Sequence, residues 1–504
     1  GAVYVNGQGV IDAVQPARRR APAGFTATAR IDTQGVITPG LIDLHNHLAY
    51  NFQPLWHAPR STPYTSRHQW PGAATYGRDV SNPAQAMGIA AAAAALRYAE
   101  VKAAAGGATS IQGSPPLTRA YAGWMLRNIE KEQVPGRGDE QLIYQAVIKA
   151  DVKGLRRFGT QLRANHSFIY HLAEGTAATL IKEFTDLTTA GCLHPQLIGI
   201  HSTALTETEY EAWAVAGAGA VVWSPFSNIW LYGGTTDVLA ARRHGVQVCL
   251  GSDWSPSGTK NLLGELKVAS LWNDEALDGV LDARELGAMA TANAGDTLAR
   301  CWGVDVGRLR AGALADILVT NRQVVGRADL HENLLRVDER HVRLVMVGGR
   351  PVLGRPALLR SLGARAFDTV RVGRLRQGVV TALPDDLLPA DPALAAEATM
   401  SWQDGSTAMQ AVVDDPAKAV RAARARAEHV PRGAPLPLQY VPDMPAPGGD
   451  EGGRALTEEE LDQLVVAPIE SLGHDAAWFA SIDQVPPHAA LLKGLRARFR
   501  SASG

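Results

Sequence analysis

Apolar and polar residues change their rhythm three times along the chain. The opening "AVYVNGQGVIDAV" places two short β runs on either side of an Asn-Gly turn, which predicts a hairpin. From Gly40 to about Arg300 short apolar runs of strand length recur, most of them separated by stretches with helical spacing. The strand candidates are "GLIDLHNH", "GATSIQGS", "GWMLRNIE", "QLIYQAVIK", "HSFIYHLAE", "LIGIHS", "AVVWSP" and "VQVCLGSD". One intervening helix is marked at its start by Thr206 with Glu209 three residues on, the spacing of a capping box. Eight strands alternating with helices predict an α/β protein built on a (β/α)8 TIM barrel, a fold that takes about 250 residues. A doubly wound sheet would call for a glycine-rich phosphate loop after the first strand, and none is there.

Beyond the barrel, "GRLRAGALADILVTN" and "HVRLVMVGGRPVLG" return to short strands with glycine turns, similar in character to the N-terminal hairpin. Both ends are therefore expected to build one small composite β-sandwich domain. The expected division is 1–38 for its first part, 39–303 for the barrel, 304–356 for its second part and 357–504 for a C-terminal extension. The extension holds Pro/Ala-rich links and a helix capped by Thr457 with Glu460. It reads as a cover over the barrel mouth, a subunit contact, or a segment that merely wraps the surface.

Composition narrows the function classes. The 504 residues are 46% hydrophobic and 20% charged, as in globular proteins, and the length suggests more than one domain. Forty-nine Lys and Arg against 50 Asp and Glu leave no net field to recruit nucleic acid or an acidic membrane. No apolar run reaches the roughly 20 residues that span a bilayer. The alanine tract "AAAAALRYAEVKAAAGG" carries Arg97, Glu100 and Lys102 and reads as a soluble helix. Cys192, Cys249 and Cys301 lie far apart without a C-x-x-C pair, so they are expected to be reduced packing residues. With no secretory leader legible at the N-terminus, a cytoplasmic location is expected.

Candidate chemistry sits at the strand ends. In "TPGLIDLHNHLAYN", His45 and His47 are two residues apart, so on a strand both imidazoles project to one face. "FIYHLAEG" closes a strand on His171 with Glu174 three residues later, "LIGIHS" ends on His201, and "VQVCLGSDW" ends on Asp253. The C-terminal ends of barrel strands meet at one face, where barrel active sites lie. That topology brings His45, His47, His171, His201 and Asp253 together as a metal-site candidate.

These motifs, with "HSTALTETEYEAWAVAGAGAVVWSPFSN" and "TANAGDTLARCWGVDVGRLRAGALADILV", resemble the amidohydrolase superfamily of metal-dependent hydrolases. Within it the chain is similar to the cytosine deaminase, chlorohydrolase and imidazolonepropionase branch, over residues 1 to about 355. The resemblance implies that His45, His47, His171 and Asp253 hold one divalent metal. It also implies that Glu174 is the acid/base carboxylate and that His201 polarises the substrate or the nucleophilic water. Neutral imidazoles and a carboxylate suit Zn2+, while Fe2+ or Mn2+ fit the same ligands. A bound zinc lowers the pKa of its water from about 15.7 toward 7, and Asp253 and Glu174 can then move the proton. Other branches bridge two metals with a carboxylated lysine, for which Lys149 is the candidate; the His-x-x-Glu motif favours the single metal, with Lys149 a solvated strand-end residue.

Of the fourteen histidines, His166 starts its strand on the face opposite His171, and His194 and His244 read as surface residues. The long loop after His47 holds His57, His68, Tyr50, Trp56, Tyr64 and Trp70; Trp230, Tyr232 and Trp254 follow later strands. Such aromatics around one face suggest a ring-stacking pocket, with Tyr50, Trp56, Trp70, Trp230 and Trp254 as candidate substrate contacts. The four prolines Pro54, Pro59, Pro63 and Pro71 should hold this loop ordered over the metal. Lys260 is the candidate for an anionic substrate group. The function expected is hydrolysis of a non-peptide C–N bond (amide, lactam or amidine) in a small, aromatic or cyclic molecule. The alternatives are deamination of an N-heterocycle and a catalytically inactive binding scaffold. The partner expected is a small molecule, with no nucleic acid and no membrane, and self-association into a homo-oligomer is left open.

Overall fold

The computed structural model describes the chain except for residues 57–61, 115–120, 122, 131–140, 147–150, 326–329, 431–437, 441, 445–463 and 501–504. Eight parallel strands make its centre. They are β1 (Leu41–Asp43), β2 (Ala108–Ile111), β3 (Arg127–Asn128), β4 (Ile143–Ala146), β5 (Ser167–Leu172), β6 (Leu197–His201), β7 (Ala220–Trp223) and β8 (Gln247–Leu250). Among the described residues they form a three-stranded sheet, β1-β2-β3, and a five-stranded sheet, β8-β7-β6-β5-β4, every neighbouring pair parallel. A parallel bridge between Asn46 and Asp253 joins the end of β1 to the end of β8. Every residue of β5, β6 and β7 is buried, because helices cover the outer face and side chains fill the inner one. The helix Glu207–Val215 begins at the expected capping box, with the Thr206 amide donating to Glu209 Oε2 at 2.9 Å.

A six-stranded antiparallel sheet flanks this unit. Its order is Asp368–Val372, Leu375–Val379, Arg350–Gly354, Val342–Val347, Ile317–Thr320 and Val36–Pro39. The N-terminal segment thus pairs with the segment after the barrel, strand Val36–Pro39 against Ile317–Thr320. The hairpin Ala2–Val5/Ile11–Gln15 is a separate two-stranded sheet, tied in through a bridge from Val10 to Leu314. The boundary expected at residue 356 is corrected by this arrangement, since the strands Asp368–Val372 and Leu375–Val379 continue the sheet. Exposed Thr369 and Arg371 alternate there with buried Val370 and Val372, which hides the strand in a charged stretch.

Among its described residues the remaining extension contributes the helices Pro392–Ala398, Trp402–Asp414, Pro416–Glu428, Ala476–Asp483 and Leu495–Arg500. The Thr457–Glu460 cap lies outside the described residues. Helix Trp402–Asp414 packs on helix Ala92–Ala105, where Tyr98 and Trp402 stack with ring centroids 6.2 Å apart. All fourteen residues of Ala92–Ala105 are buried, its charges included. Glu100 is satisfied by the Trp124 and Met125 amides, and Arg97 lies 3.5 Å from Glu100 and donates to the Ala398 carbonyl. No helix among the described residues is long and apolar enough to cross a membrane. The three cysteines are buried and unpaired with one another.

One glycine fixes how β2 meets the end of β1. Gly113 has φ +103°, and a Cβ there would lie 1.9 Å from the Asn46 carbonyl oxygen, next to His47. Gly113→Ala is expected to destabilise the protein by about 1–3 kcal/mol or more, through overpacking and a conformation that L residues rarely adopt. Urea denaturation measures this; an unchanged midpoint would mean the loop accommodates the methyl group.

Candidate metal centre

His45 and His47 lie just beyond β1, where the Asp253 amide donates to the His45 carbonyl at 2.9 Å. His171 is within β5 and Glu174 follows it after Ala173, whose φ is +49°. His201 ends β6 at φ +61°, and Asp253 follows β8 at φ +56°. Left-handed backbone at non-glycine residues costs of order 1–3 kcal/mol each and persists only where the surroundings impose it. Here it occurs at the ends of β5, β6 and β8, where the chain turns toward the cluster.

The result is a compact buried cluster. His45 Nε2 lies 3.1 Å and His47 Nε2 3.6 Å from Asp253 Oδ1, while His201 Nε2 lies 3.9 Å from Asp253 Oδ2 and 3.7 Å from Glu174 Oε2. Ligand atoms of His45, His47 and His171 fall within 4.8 Å of one another, as do those of His45, His201 and Asp253 and those of His171, Glu174 and His201. His45 Nε2, His171 Nε2 and Glu174 Oε2 are buried with no hydrogen-bond partner. Orphaned buried atoms of this kind are costly unless something else binds them. Three imidazoles and a carboxylate turned toward one point are the donor set of a divalent transition metal, so the residues fit such an ion.

Electrostatics suits that use at His171 and His201. Burial, reinforced by His45, His47 and His201, holds His171 well below the usual histidine pKa. Burial likewise lowers His201, against the pull of Glu174 and Asp253. Neutral imidazole is the ligating form. Burial opposes charge on His47 too, but the Asp443 carboxylate outweighs it and raises the pKa to about 9. Asp253 is resisted by burial yet held below the usual carboxylate range, by His45 first.

Outer partners orient the ring nitrogens. His45 Nδ1 lies 3.3 Å from Gln112 Oε1, whose amide donates to Glu130 at 2.5 Å. His201 Nδ1 meets Asn228 Oδ1 at 2.8 Å, and His47 Nδ1 meets Asp443 Oδ2 at 2.6 Å. The Tyr232 hydroxyl donates to Glu174 Oε1 at 2.5 Å and accepts from Trp70 Nε1 at 2.9 Å. Gln112, Asn228 and Asp443 were not singled out from the sequence, where Tyr232 figured only as an aromatic. Arg67 ties the aromatic loop to the site, donating to the His171 carbonyl at 2.8 Å and to Glu183 at 3.1 Å.

The aromatic candidates divide. Trp70, Trp254, Tyr50 and Tyr76 form one cluster beside His47: Trp70 is 5.1 Å and Tyr50 5.0 Å from Trp254, which is 6.3 Å from His47. Trp56 is buried one layer out, against Tyr76 at 5.5 Å. Trp230 stacks on Phe226 at 5.5 Å, on the side where Phe226 meets Trp478 of the extension. Lys260 requires correction. It pairs with Asp475 and donates to the Pro468 and Glu470 carbonyls at 3.2 Å each, so its charge holds the extension and is not presented to the histidine cluster. His57 and Lys149 lie outside the described residues.

Known proteins carry related sequences and folds. Residues 157–352 match the model of the amidohydrolase family. The 5'-deoxyadenosine deaminase of Methanothermobacter thermautotrophicus is 33% identical over 134 residues, 26% of this chain and 30% of that protein. The 5-methylthioadenosine/S-adenosylhomocysteine deaminase of Halobacterium salinarum is 35% identical over 140 residues, 27% of this chain and 30% of that protein. The matched stretch thus spans under a third of either relative's length. Among solved structures, a zinc-bound adenosine deaminase from Xanthomonas campestris superposes with TM-score 0.54 at 18% identity, over 72% of this chain and 92% of that one. The zinc complex of atrazine chlorohydrolase from Arthrobacter aurescens gives 0.51 at 20% identity, over 72% and 93%. At these identities the likeness is one of fold.

Arg67 offers a direct check on the geometry. Its side chain and that of Glu183 are both buried, and the carboxylate also accepts from the Ala173 amide at 2.8 Å, one residue from Glu174. Arg67→Ala strands this carboxylate and should destabilise the protein by about 3 kcal/mol in a urea titration. A loss under half that size would show that His68, 3.5 Å away, carries the pairing.

Proposed function

We propose that this chain, whose residues 157–352 match the amidohydrolase family, hydrolyses a C–N bond other than a peptide bond in a small aromatic or cyclic molecule. One observation carries the reading: Glu174 Oε2 is buried, without a partner, and faces His201 inside a ring of imidazoles. A scaffold that only binds has no physical use for a desolvated carboxylate with one oxygen left open. The two parallel sheets are read as arcs of one (β/α)8 barrel, supported by the Asn46–Asp253 bridge between first and last strands. The sandwich part then comprises residues 1–38 and 304 to about 380, with the extension beginning after it.

His45, His47, His171 and Asp253 would hold one divalent ion, zinc by the chemistry of the donor set. When bound, the ion supplies Lewis-acid activation of a water molecule. Glu174 takes a proton at Oε2 and returns it to the leaving nitrogen, its other oxygen fixed by Tyr232. His201, held by Asn228 through Nδ1, presents Nε2 to the reacting group. Trp70 and Trp254 close the apolar side of the site, exclude water and sort substrates by shape. Between amide cleavage and deamination, the curated relatives favour deamination of an N-heterocycle, since those named above are deaminases of adenosine-type compounds.

Elemental analysis of the purified protein should return one equivalent of divalent metal per chain; two equivalents would contradict the single-ion site. Glu174→Gln should keep the metal and lower turnover by roughly 100-fold or more. An ammonia assay across adenine nucleosides and related heterocycles tests the reaction: ammonia release supports deamination, whereas carboxylate and amine products from amides would replace it with amide cleavage.

A further inference from the structure

We infer that Asp443, supplied by the C-terminal extension, is a positioning residue of the metal centre that holds the His47 ring with Nε2 turned inward. The inference rests on the metal-site reading above. The two nitrogens of His47 are divided between two carboxylates from distant parts of the chain. Nε2 faces Asp253 Oδ1 at 3.6 Å, on the cluster side, and Nδ1 meets Asp443 Oδ2 at 2.6 Å behind it. A carboxylate on the far nitrogen of a ligating histidine fixes ring orientation and tautomer and makes the ligand more basic.

Two features distinguish this contact from a chance ion pair. The first is that His45 and His201 are backed by neutral amides, Gln112 and Asn228, while His47 is backed by a carboxylate. His47 is thereby the most electron-rich of these three. The second is that the backbone beside Asp443 is anchored to the segment that carries the ligand. Tyr76 donates to the Met444 carbonyl at 2.7 Å, the Met444 amide donates to the Tyr50 hydroxyl at 3.0 Å, and Tyr440 donates to the Ala49 carbonyl at 3.2 Å. Asp443 is itself only 14% exposed, so the pair is shielded from water.

The test uses the full chain, stripped of metal and titrated with Zn2+ against a chromophoric chelator. Asp443→Asn keeps the shape and removes the charge; it should weaken zinc binding by about 10-fold, and Asp443→Ala by up to about 100-fold. With Co2+ in place of zinc, the visible absorption bands should shift in Asp443→Asn, because a ligand's donor strength has changed. Tyr440→Phe loosens the same segment without touching Asp443 and should leave affinity and bands as in the parent. The inference is overturned if Asp443→Asn matches the parent in both measurements, or if Tyr440→Phe loses as much affinity as Asp443→Asn. Failure of the parent itself to bind zinc would remove the metal-site reading, a result distinct from either. Melting of the metal-free proteins must agree within error, and a large drop in Asp443→Asn alone would assign the residue to folding instead.

Discussion

Four imidazoles share one desolvated space, with the His45 ring 4.8–4.9 Å from those of His47, His171 and His201. They cannot all carry protons, and they cannot all be left without partners. Much of the surrounding structure answers this constraint. Gln112, Asn228 and Asp443 occupy outward nitrogens, so that inward ones are left for a common partner. Left-handed backbone at His201 and Asp253 turns the strand ends toward that partner, and the bridge from Asn46 to Asp253 holds the turn in place. The strain is local, while the burial that sustains it extends through β5, β6 and β7.

The clustering of these histidines with Asp253 was legible because the residues sit at strand ends, where a period of two and a shared face are strong constraints. His45 and His47 fall just past β1 in the structure, yet their rings still point together because the Asn46 backbone stays extended enough to bridge Asp253. The outer partners were not legible. Asp443 is a lone carboxylate in the Pro-rich "VPDMPAPGG", with no periodicity to say which way it faces. Lys260 was misread for the converse reason: proximity in sequence to Asp253 does not fix direction, and three acceptors on residues 468–475 draw it outward. The strand pair after residue 367 escaped notice because its outward positions are polar or charged and its inward ones few.

The aromatic loop does more than fill space. Trp70 reaches Glu174 through the Tyr232 hydroxyl, and Arg67 binds the carbonyl of His171, so the loop after His45 and His47 is hydrogen-bonded to the strand bearing His171. A change in loop packing therefore alters the setting of the Glu174 carboxylate as well as the aromatic cluster beside His47. On the function proposed above, specificity and proton transfer would share one set of contacts, which would couple substrate range to turnover. Trp230 and Trp56 stand outside that circuit and mainly support it.

The contact between His47 and Asp443 closes across 396 residues of sequence. During synthesis at about 5–20 residues per second, the aspartate follows the histidine out of the ribosome by roughly 20–80 s. Over that interval the strands can pair and the rest of the cluster can gather, while one imidazole still turns without its backing carboxylate. The order of assembly is thus written into the connectivity. On the metal-site reading proposed above, an ion captured early would meet a looser site than the finished one, so truncated or unfinished chains would bind and exchange metal as a different species from the completed protein.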